Sequence, residues 1–249
     1  MSYNPYTLEG KVIMITGASS GIGRATAIEC SRLGAKVIIT GRNRERLSET
    51  MVLLEGDGHF LLPADLTTQS EVDDLVNNSP LIDGLVNNAG IVQTLPFTFI
   101  KPEVLNNIFS VNFFAPVFLS QQLVKRKKFN RDASIVFVSS IDGPITAHIG
   151  NSIYAASKGA VFAIAKSMAV DLATKKIRVN CVLPGMTETP LIYADGITVE
   201  QLNEDMKLYP LKRYGQPIEI AHAIIYFLSD ASSWTTGANL VIDGGFTLL

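Results

Sequence analysis

The chain has 249 residues, 47% hydrophobic and 18% charged, with a formal net charge of 21 − 23 = −2. A chain of that length buries roughly 70–75% of its unfolded surface in one core, so neither disulfides nor metals are needed to hold it. Near-neutrality argues against broad electrostatic binding of nucleic acid or an anionic membrane.

Cys30 and Cys181 lie too far apart in sequence to read as a disulfide framework or zinc site, and His59, His148 and His222 are scattered, so no metal is expected. The opening MSYNPYTLEGK lacks the basic start and apolar stretch of a secretory signal. No apolar run approaches the ~20 residues of a membrane helix. The expectation is a soluble cytoplasmic protein forming one domain over residues 1–249.

In chain order the pattern is strand, turn, helix, repeated. A strand at Lys11–Thr16 precedes a helix at Gly21–Leu33; Lys36–Thr40 precedes Arg42–Leu54; Phe60–Pro63 precedes Gln69–Asn77. Gly84–Val86 is followed by one long helix at Val104–Lys127, and Ser134–Val138 by Ser152–Ala173. Ile177–Val182, a helix at Pro217–Ser229 and a last strand at Leu240–Ile242 complete the series. Runs such as VIMI and IVFV are continuously apolar, as strands covered on both faces must be. Alternation of this kind predicts an α/β fold, a doubly wound parallel sheet of about seven strands with helices on both faces. Ligands of such sheets sit beyond the carboxyl ends of the strands.

After the first strand comes TGASSGIG, Thr16 to Gly23. Glycines there let the backbone turn sharply toward a pyrophosphate at a helix N-terminus, where free N–H groups await an anion. Ser19 and Ser20 can cap that helix or bind phosphate. At the end of the second strand an NAD site usually carries an acid for the ribose 2′-hydroxyl. No acid lies between Glu29 and Glu45, and the segment reads Thr40-Gly41-Arg42-Asn43-Arg44. A guanidinium at Arg42 can fork onto a 2′-phosphate, so NADP(H) is favoured over NAD(H).

Tyr154 and Lys158 are spaced i, i+4 on a predicted helix and share a face. Ser139 and Ser140 end the preceding strand, on the ligand side of the sheet. A phenol beside an ammonium suits proton transfer to a carbonyl oxygen during hydride transfer.

With these motifs in place the sequence resembles the short-chain dehydrogenase/reductase family in its single-domain form, from TGASSGIG to Ile242–Gly245. Asn87-Asn88-Ala89-Gly90, Val111-Asn112, Tyr154-x-x-x-Lys158, Arg178-Val179-Asn180 and Pro184-Gly185 carry the likeness. The resemblance implies Tyr154 as general acid/base, Ser140 orienting the substrate carbonyl, Lys158 on the nicotinamide ribose, and Asn112 holding a relay water. It implies cofactor contacts from Gly17, Ser19, Ser20, Gly21, Ile22 and Gly23. Further contacts would come from Arg42, Asn43, Asp65, Leu66, Asn87, Ala89 and Gly90, and from Pro184, Gly185, Thr187 and Thr189 over the nicotinamide. The family's usual Ser-to-Tyr spacing is thirteen, whereas Tyr154 stands fourteen after Ser140 and fifteen after Ser139. Either serine therefore remains a candidate, with one extra residue expected in the loop Ile141–Ile153. The short interval from Asp65 to Asn87 predicts a stubby helix.

Pro184–Pro217 should form a substrate lid, mixing apolar Leu191, Ile192, Tyr193, Leu202, Met206 and Leu208 with charges of both signs. The basic run Lys125–Lys128 with Arg131 resembles the surface by which 3-oxoacyl-(acyl carrier protein) reductases receive their acidic carrier; a solvated helix end is the alternative. A sugar, polyol or steroid dehydrogenase, or a non-catalytic NADP-sensing protein, are the competing functions. Apolar Phe113, Phe114, Phe118, Val161, Phe162 and Ile164 exceed what one sheet face covers, which predicts a homotetramer, with a dimer as fallback.

Overall fold

The computed structural model describes residues 3–193 and 198–249. Its strands are β1 (Val12–Thr16), β2 (Lys36–Thr40), β3 (Phe60–Leu61), β4 (Ile82–Asn87), β5 (Phe129–Val138), β6 (Arg178–Pro184) and β7 (Asn239–Ile242). All pair in parallel in one seven-stranded sheet, in the order β3-β2-β1-β4-β5-β6-β7. The helices are α1 (Gly21–Arg32), α2 (Arg44–Val52), α3 (Gln69–Asn78), α4 (Pro102–Phe109), α5 (Ala115–Lys125), α6 (Ser152–Leu172), α7 (Val199–Met206) and α8 (Pro217–Leu228). The interval before β4 does hold a short helix, α3, of 10 residues.

Strand side chains alternate between two apolar layers, as a period of two requires. Met14, Ile38, Ile135 and Phe137 enter one core with Val72 and Leu75 of α3, Leu119 and Leu123 of α5, and Val161, Ala165 and Ala169 of α6. Ile13, Ile15, Val37, Ile39 and Val136 enter the other with Ala27 and Cys30 of α1, Leu47 of α2 and Ile220 and Ile224 of α8. Residues Ser152–Lys175 are long and apolar enough by composition to cross a membrane. Val161, Ala165 and Ala169 nevertheless bury one side of this helix in the sheet's core.

The long helix expected at Val104–Lys127 is interrupted by a π-helical turn at Ser110–Phe114, where the N–H of Ala115 reaches back to the carbonyl of Ser110. Pro116 accounts for the change of register: it has no N–H to return to the carbonyl of Asn112, so the regular ladder cannot run through. Such wide turns are frequent at functional sites. The apolar surplus is also redistributed. Val161 faces the sheet, and Phe113 and Phe162 pack against the core, whereas Phe114 and Phe118 stay exposed and stack at 6.3 Å.

Candidate active site

Strand order reverses between β1 and β4, and the crevice of an open parallel sheet forms at that reversal. There the ends of both strands are laced together. Thr16 Oγ1 accepts from the N–H groups of Asn88 and Ala89, each at 3.0 Å, and donates to the Val86 carbonyl. Asn88 Nδ2 donates to the Thr16 carbonyl at 3.0 Å. The turn beyond β1 has φ of +65° at Gly17 and +53° at Gly21, a region costly to a side chain. Ser20 sits at the N-cap of α1 without a side-chain capping bond, leaving that helix's first N–H groups to the crevice.

The resulting cleft, about 350 Å³, is lined by Gly17, Ser19, Ser20, Gly21 and Ile22 from this turn, and by Arg42, Asp65, Leu66, Ala89, Gly90 and Thr189. Arg42 makes no hydrogen bond or ion pair among the described residues; its charge, with the larger effect of the Thr67 hydroxyl donating at 2.7 Å, holds the Asp65 carboxyl below its usual range. Three expected contacts lie elsewhere. Asn43 caps α2, its side chain accepting from Arg46 N–H at 2.9 Å. Asn87 is buried against Ser120 Oγ at 3.0 Å. Gly23 lets α1 approach the turn: a Cβ there would stand 2.3 Å from the Gly17 carbonyl oxygen.

A second cavity, about 520 Å³, adjoins the first and shares Ile22, Asn88, Gly90, Thr189 and Leu191 with it. Ser140, Tyr154, Lys158, Pro184, Gly185 and Thr187 line it. Leu202 and Asp205 of α7, with Ile192, Tyr209 and Tyr214, supply the wall expected of the lid. The side chain of Tyr193 and residues 194–197 lie outside the described residues.

Tyr154 and Lys158 come from one face of α6, and the serines from the end of β5. Ser139 Oγ donates to the Lys158 carbonyl at 2.8 Å and is committed to anchoring α6. Ser140 Oγ accepts from the Asp142 N–H at 3.1 Å, and Ser140 is the serine that lines the cavity beside Tyr154 and acts on its phenol. Burial pushes the Tyr154 phenol up to about 12, with Ser140 opposing and the Asp142 charge adding to it. Burial brings the Lys158 ammonium down to about 8. Its Nζ donates to the Val138 carbonyl at 2.8 Å and lies 5.7 Å from the Tyr154 ring centre.

Asn112, in the π-helical turn, is 1% exposed. Its Oδ1 accepts from the Ile91 N–H at 2.8 Å, and its Nδ2 donates to the Ile91 carbonyl and to Ser157 Oγ. Asn112 Oδ1 and Lys158 Nζ approach Gly90 together, at 3.4 and 3.5 Å from where a Cβ would be. Gly90 thus lies in ordinary contact distance of both.

Asp142, His148 and Asn151 are polar lining residues to which the sequence reading gave no role. Asn88 was visible as part of its motif. Asp142 follows Ser140 by two positions but reads there as an ordinary loop acid. Conversely, the basic run is partly spoken for. Arg126 pairs with Asp73 and donates to Asn77 Oδ1, and Lys128 Nζ donates to the Asn77 and Ser79 carbonyls, fastening the region after α5 to α3.

The family model described as Enoyl-(Acyl carrier protein) reductase matches residues 17–247. The 3-oxoacyl-[acyl-carrier-protein] reductase of Thermotoga maritima is 37% identical over 97% of this chain and 99% of its own. The same-named protein of Rickettsia felis is 33% identical over 97% and 99%. A crystal structure of a short-chain type dehydrogenase/reductase from Mycobacterium marinum superposes with a TM-score of 0.86 at 32% identity, covering 98% of each chain. In sequence, sheet order and overall structure, the chain belongs to the short-chain dehydrogenase/reductase family, oxidoreductases that use a nicotinamide cofactor to interconvert carbonyls and alcohols.

Proposed function

We propose that the protein is a cytoplasmic NADPH-dependent ketone reductase in which Tyr154 is the general acid. The observation that carries this reading is that Tyr154, Ser140 and buried Lys158 line one cavity, which shares residues with the adjoining glycine-turn cleft. A dinucleotide suits that cleft. Its diphosphate would meet Gly17–Gly21 and the N–H groups of α1, its adenosine Asp65 and Leu66, and its nicotinamide the side bounded by Gly90, Pro184, Gly185, Thr187 and Thr189. When bound, the reduced nicotinamide supplies the hydride that reaches the substrate carbon. Tyr154 Oη gives its proton to the carbonyl oxygen while the Ser140 hydroxyl donates to the same oxygen, so the product is the alcohol. The Lys158 ammonium stabilises the phenolate left behind. Asn112, tied to Ile91 and Ser157, holds the water through which a proton returns toward Lys158.

Arg42, exposed at the rim and without an ion pair among the described residues, selects the 2′-phosphate. The protein should bind NADPH at least ~10-fold more tightly than NADH, a difference of about 1.4 kcal/mol. Arg42→Ala should remove that preference and leave NADH affinity nearly unchanged in a fluorescence titration. Equal wild-type affinities would refute the assignment.

Named for their acyl-carrier substrates, the relatives favour a 3-oxoacyl thioester. Lys125 and Lys127 are cations of the basic run with no ion pair among the described residues and would receive a carrier, whereas Arg131 lies 3.7 Å from Asp132. Purified protein with NADPH should reduce a 3-oxoacyl thioester and leave an enoyl thioester untouched, because two hydroxyl donors at one point suit a reacting oxygen. Reduction of the enoyl compound alone would reverse this reading. Residues 1–249 would form one domain, and exposed Phe114 and Phe118, with Val170 on α6, would join subunits in a homotetramer. Sedimentation at micromolar concentration should give about four times 27.0 kDa; an active stable monomer would contradict it.

A further inference from the structure

The substrate cavity contains a carboxylate that proton transfer by Tyr154 does not use. Asp142 is 3% exposed, and a charge so buried must be paired within the protein. His148 Nδ1 meets its Oδ1 at 2.8 Å, Thr146 Oγ1 donates to Oδ1 at 3.4 Å, and Asn151 Nδ2 donates to Oδ2. Its oxygens are therefore turned onto its own loop. What the carboxylate offers the cavity is a fixed imidazole, and His148 lines that cavity with its side chain 47% exposed.

The ring is held from a second side. It stacks on Phe246 at 5.9 Å, and Phe246 lies 4.8 Å from the Tyr209 ring. Asp243 anchors the Phe246 segment by accepting from the N–H groups of Gly245 and Thr247, at 2.9 and 2.8 Å. The loop itself has no slack: at Gly143 a Cβ would fall 2.1 Å from the Ala155 carbonyl oxygen, and the Gly143 N–H donates to the Thr146 carbonyl. With Nδ1 on Asp142, the nitrogen left to a ligand is Nε2, which has no hydrogen-bond partner among the described residues.

Asp142 also donates its N–H to Ser140 Oγ. One residue thus ties together the serine beside Tyr154 and the histidine farther along the cavity. From this geometry we infer that His148 is a second oxygen-binding donor, and that the substrate carries another acceptor oxygen, a carbonyl or carboxylate, beside the one held by Tyr154 and Ser140. The inference rests on the ketone-reductase reading and adds the residue that would hold the substrate's second oxygen. Asp142 raises the His148 pKa above the ordinary value, burial opposes this, and Asp205 of α7 adds to the rise. The other titratable groups of the cavity are Tyr154 and Lys158 of α6, Tyr209 and Tyr214. Below its pKa His148 presents a charged donor at Nε2, and as pH rises through that pKa Nε2 becomes an acceptor.

Three probes test this with NADPH: methyl 3-oxohexanoate, 3-oxohexanoate and 2-hexanone. His148→Phe should raise KM for the first two by ~10-fold, with kcat little changed and 2-hexanone within about twofold of wild type. His148→Gln, which keeps a donor, should recover much of the loss. Wild-type KM for the two-oxygen probes should rise with pH through the His148 titration, more steeply for the carboxylate if that is the natural group. Equal losses on all three probes would mean that His148 merely staples the loop, and no loss on any would also end the inference. A wild type that reduces none of them would instead sink the ketone-reductase reading. Nuclear magnetic resonance remains informative in that case, with three histidines to resolve. The His148 Cε1–H signal should shift, and its pKa rise, with methyl 3-hydroxyhexanoate but not with 2-hexanol. No shift with the ester overturns the proposal.

Discussion

Tyr154→Phe should lower kcat for ketone reduction by ~10²-fold or more while leaving folding and NADPH affinity close to wild type. The substitution keeps the ring and removes only the hydroxyl on which Ser140 acts. Ser140 still polarises the carbonyl, so a residual rate should survive. Burial holds the phenol near 12, so it stays protonated through the neutral range and can serve as the acid. The alkaline decline in rate should instead follow Lys158, which burial brings down to about 8. Above that pH the cation that stabilises the phenolate is lost. Ser140→Ala should also cost turnover, whereas Ser139→Ala should cost mainly stability, about 1 kcal/mol, because its hydroxyl serves the Lys158 carbonyl. Steady-state kinetics with thermal melts separate these outcomes; near-normal kcat in Tyr154→Phe would end the acid/base assignment.

Gly23→Ala is expected to be the most damaging single methyl in the cofactor half. The added carbon would lie 2.3 Å from the Gly17 carbonyl oxygen and 2.5 Å from Asn88 Nδ2. Neither neighbour is a free side-chain end: one is backbone, and the other is bonded to the Thr16 carbonyl. Relief requires α1 to move away from the turn, disturbing both its packing on α8 and the N–H groups that face the crevice. Overpacking of this kind costs about 1–3 kcal/mol, and NADPH affinity should fall at least ~10-fold through loss of the phosphate cradle. Gly159→Ala, inside α6 with nothing within 4 Å of the new carbon, should instead stabilise by about 0.5–1 kcal/mol. Denaturant melts of the two variants should shift in opposite directions, with NADPH affinity lost only in Gly23→Ala, if packing is the reason. Equal behaviour would remove the packing account of Gly23.

Much of the architecture was legible because local rules act on contiguous residues. Apolar runs at Val12–Ile15 and Ile135–Val138 could only be strands covered on both faces, and they alternate between the two cores. TGASSGIG announced the turn because positive φ at Gly17 and Gly21 is a property of the residue itself. Tyr154 and Lys158 met because four residues make about one helical turn. Other features depend on which distant groups compete for a given atom. Ser139 and Ser140 are chemically identical and adjacent, and only the packing of α6 on β5 consigns one to the Lys158 carbonyl and leaves the other in the cavity beside Tyr154. Arg126 looked like a docking cation until α3 brought Asp73 to it. Asn112 was legible as a residue of interest, but the π-helical turn that buries it arises from one missing N–H at Pro116 within a helical pattern that otherwise runs on. Asp142 and His148 lie on one loop, yet their bearing on the cavity required the C-terminal segment to bring Phe246 under the imidazole. Local sequence determined the elements and the glycine turn after β1, because backbone preference and periodicity are short-range. The tertiary structure decided which polar groups are spent on the fold and which face a substrate, because burial makes each buried polar group take a partner from wherever the chain supplies one.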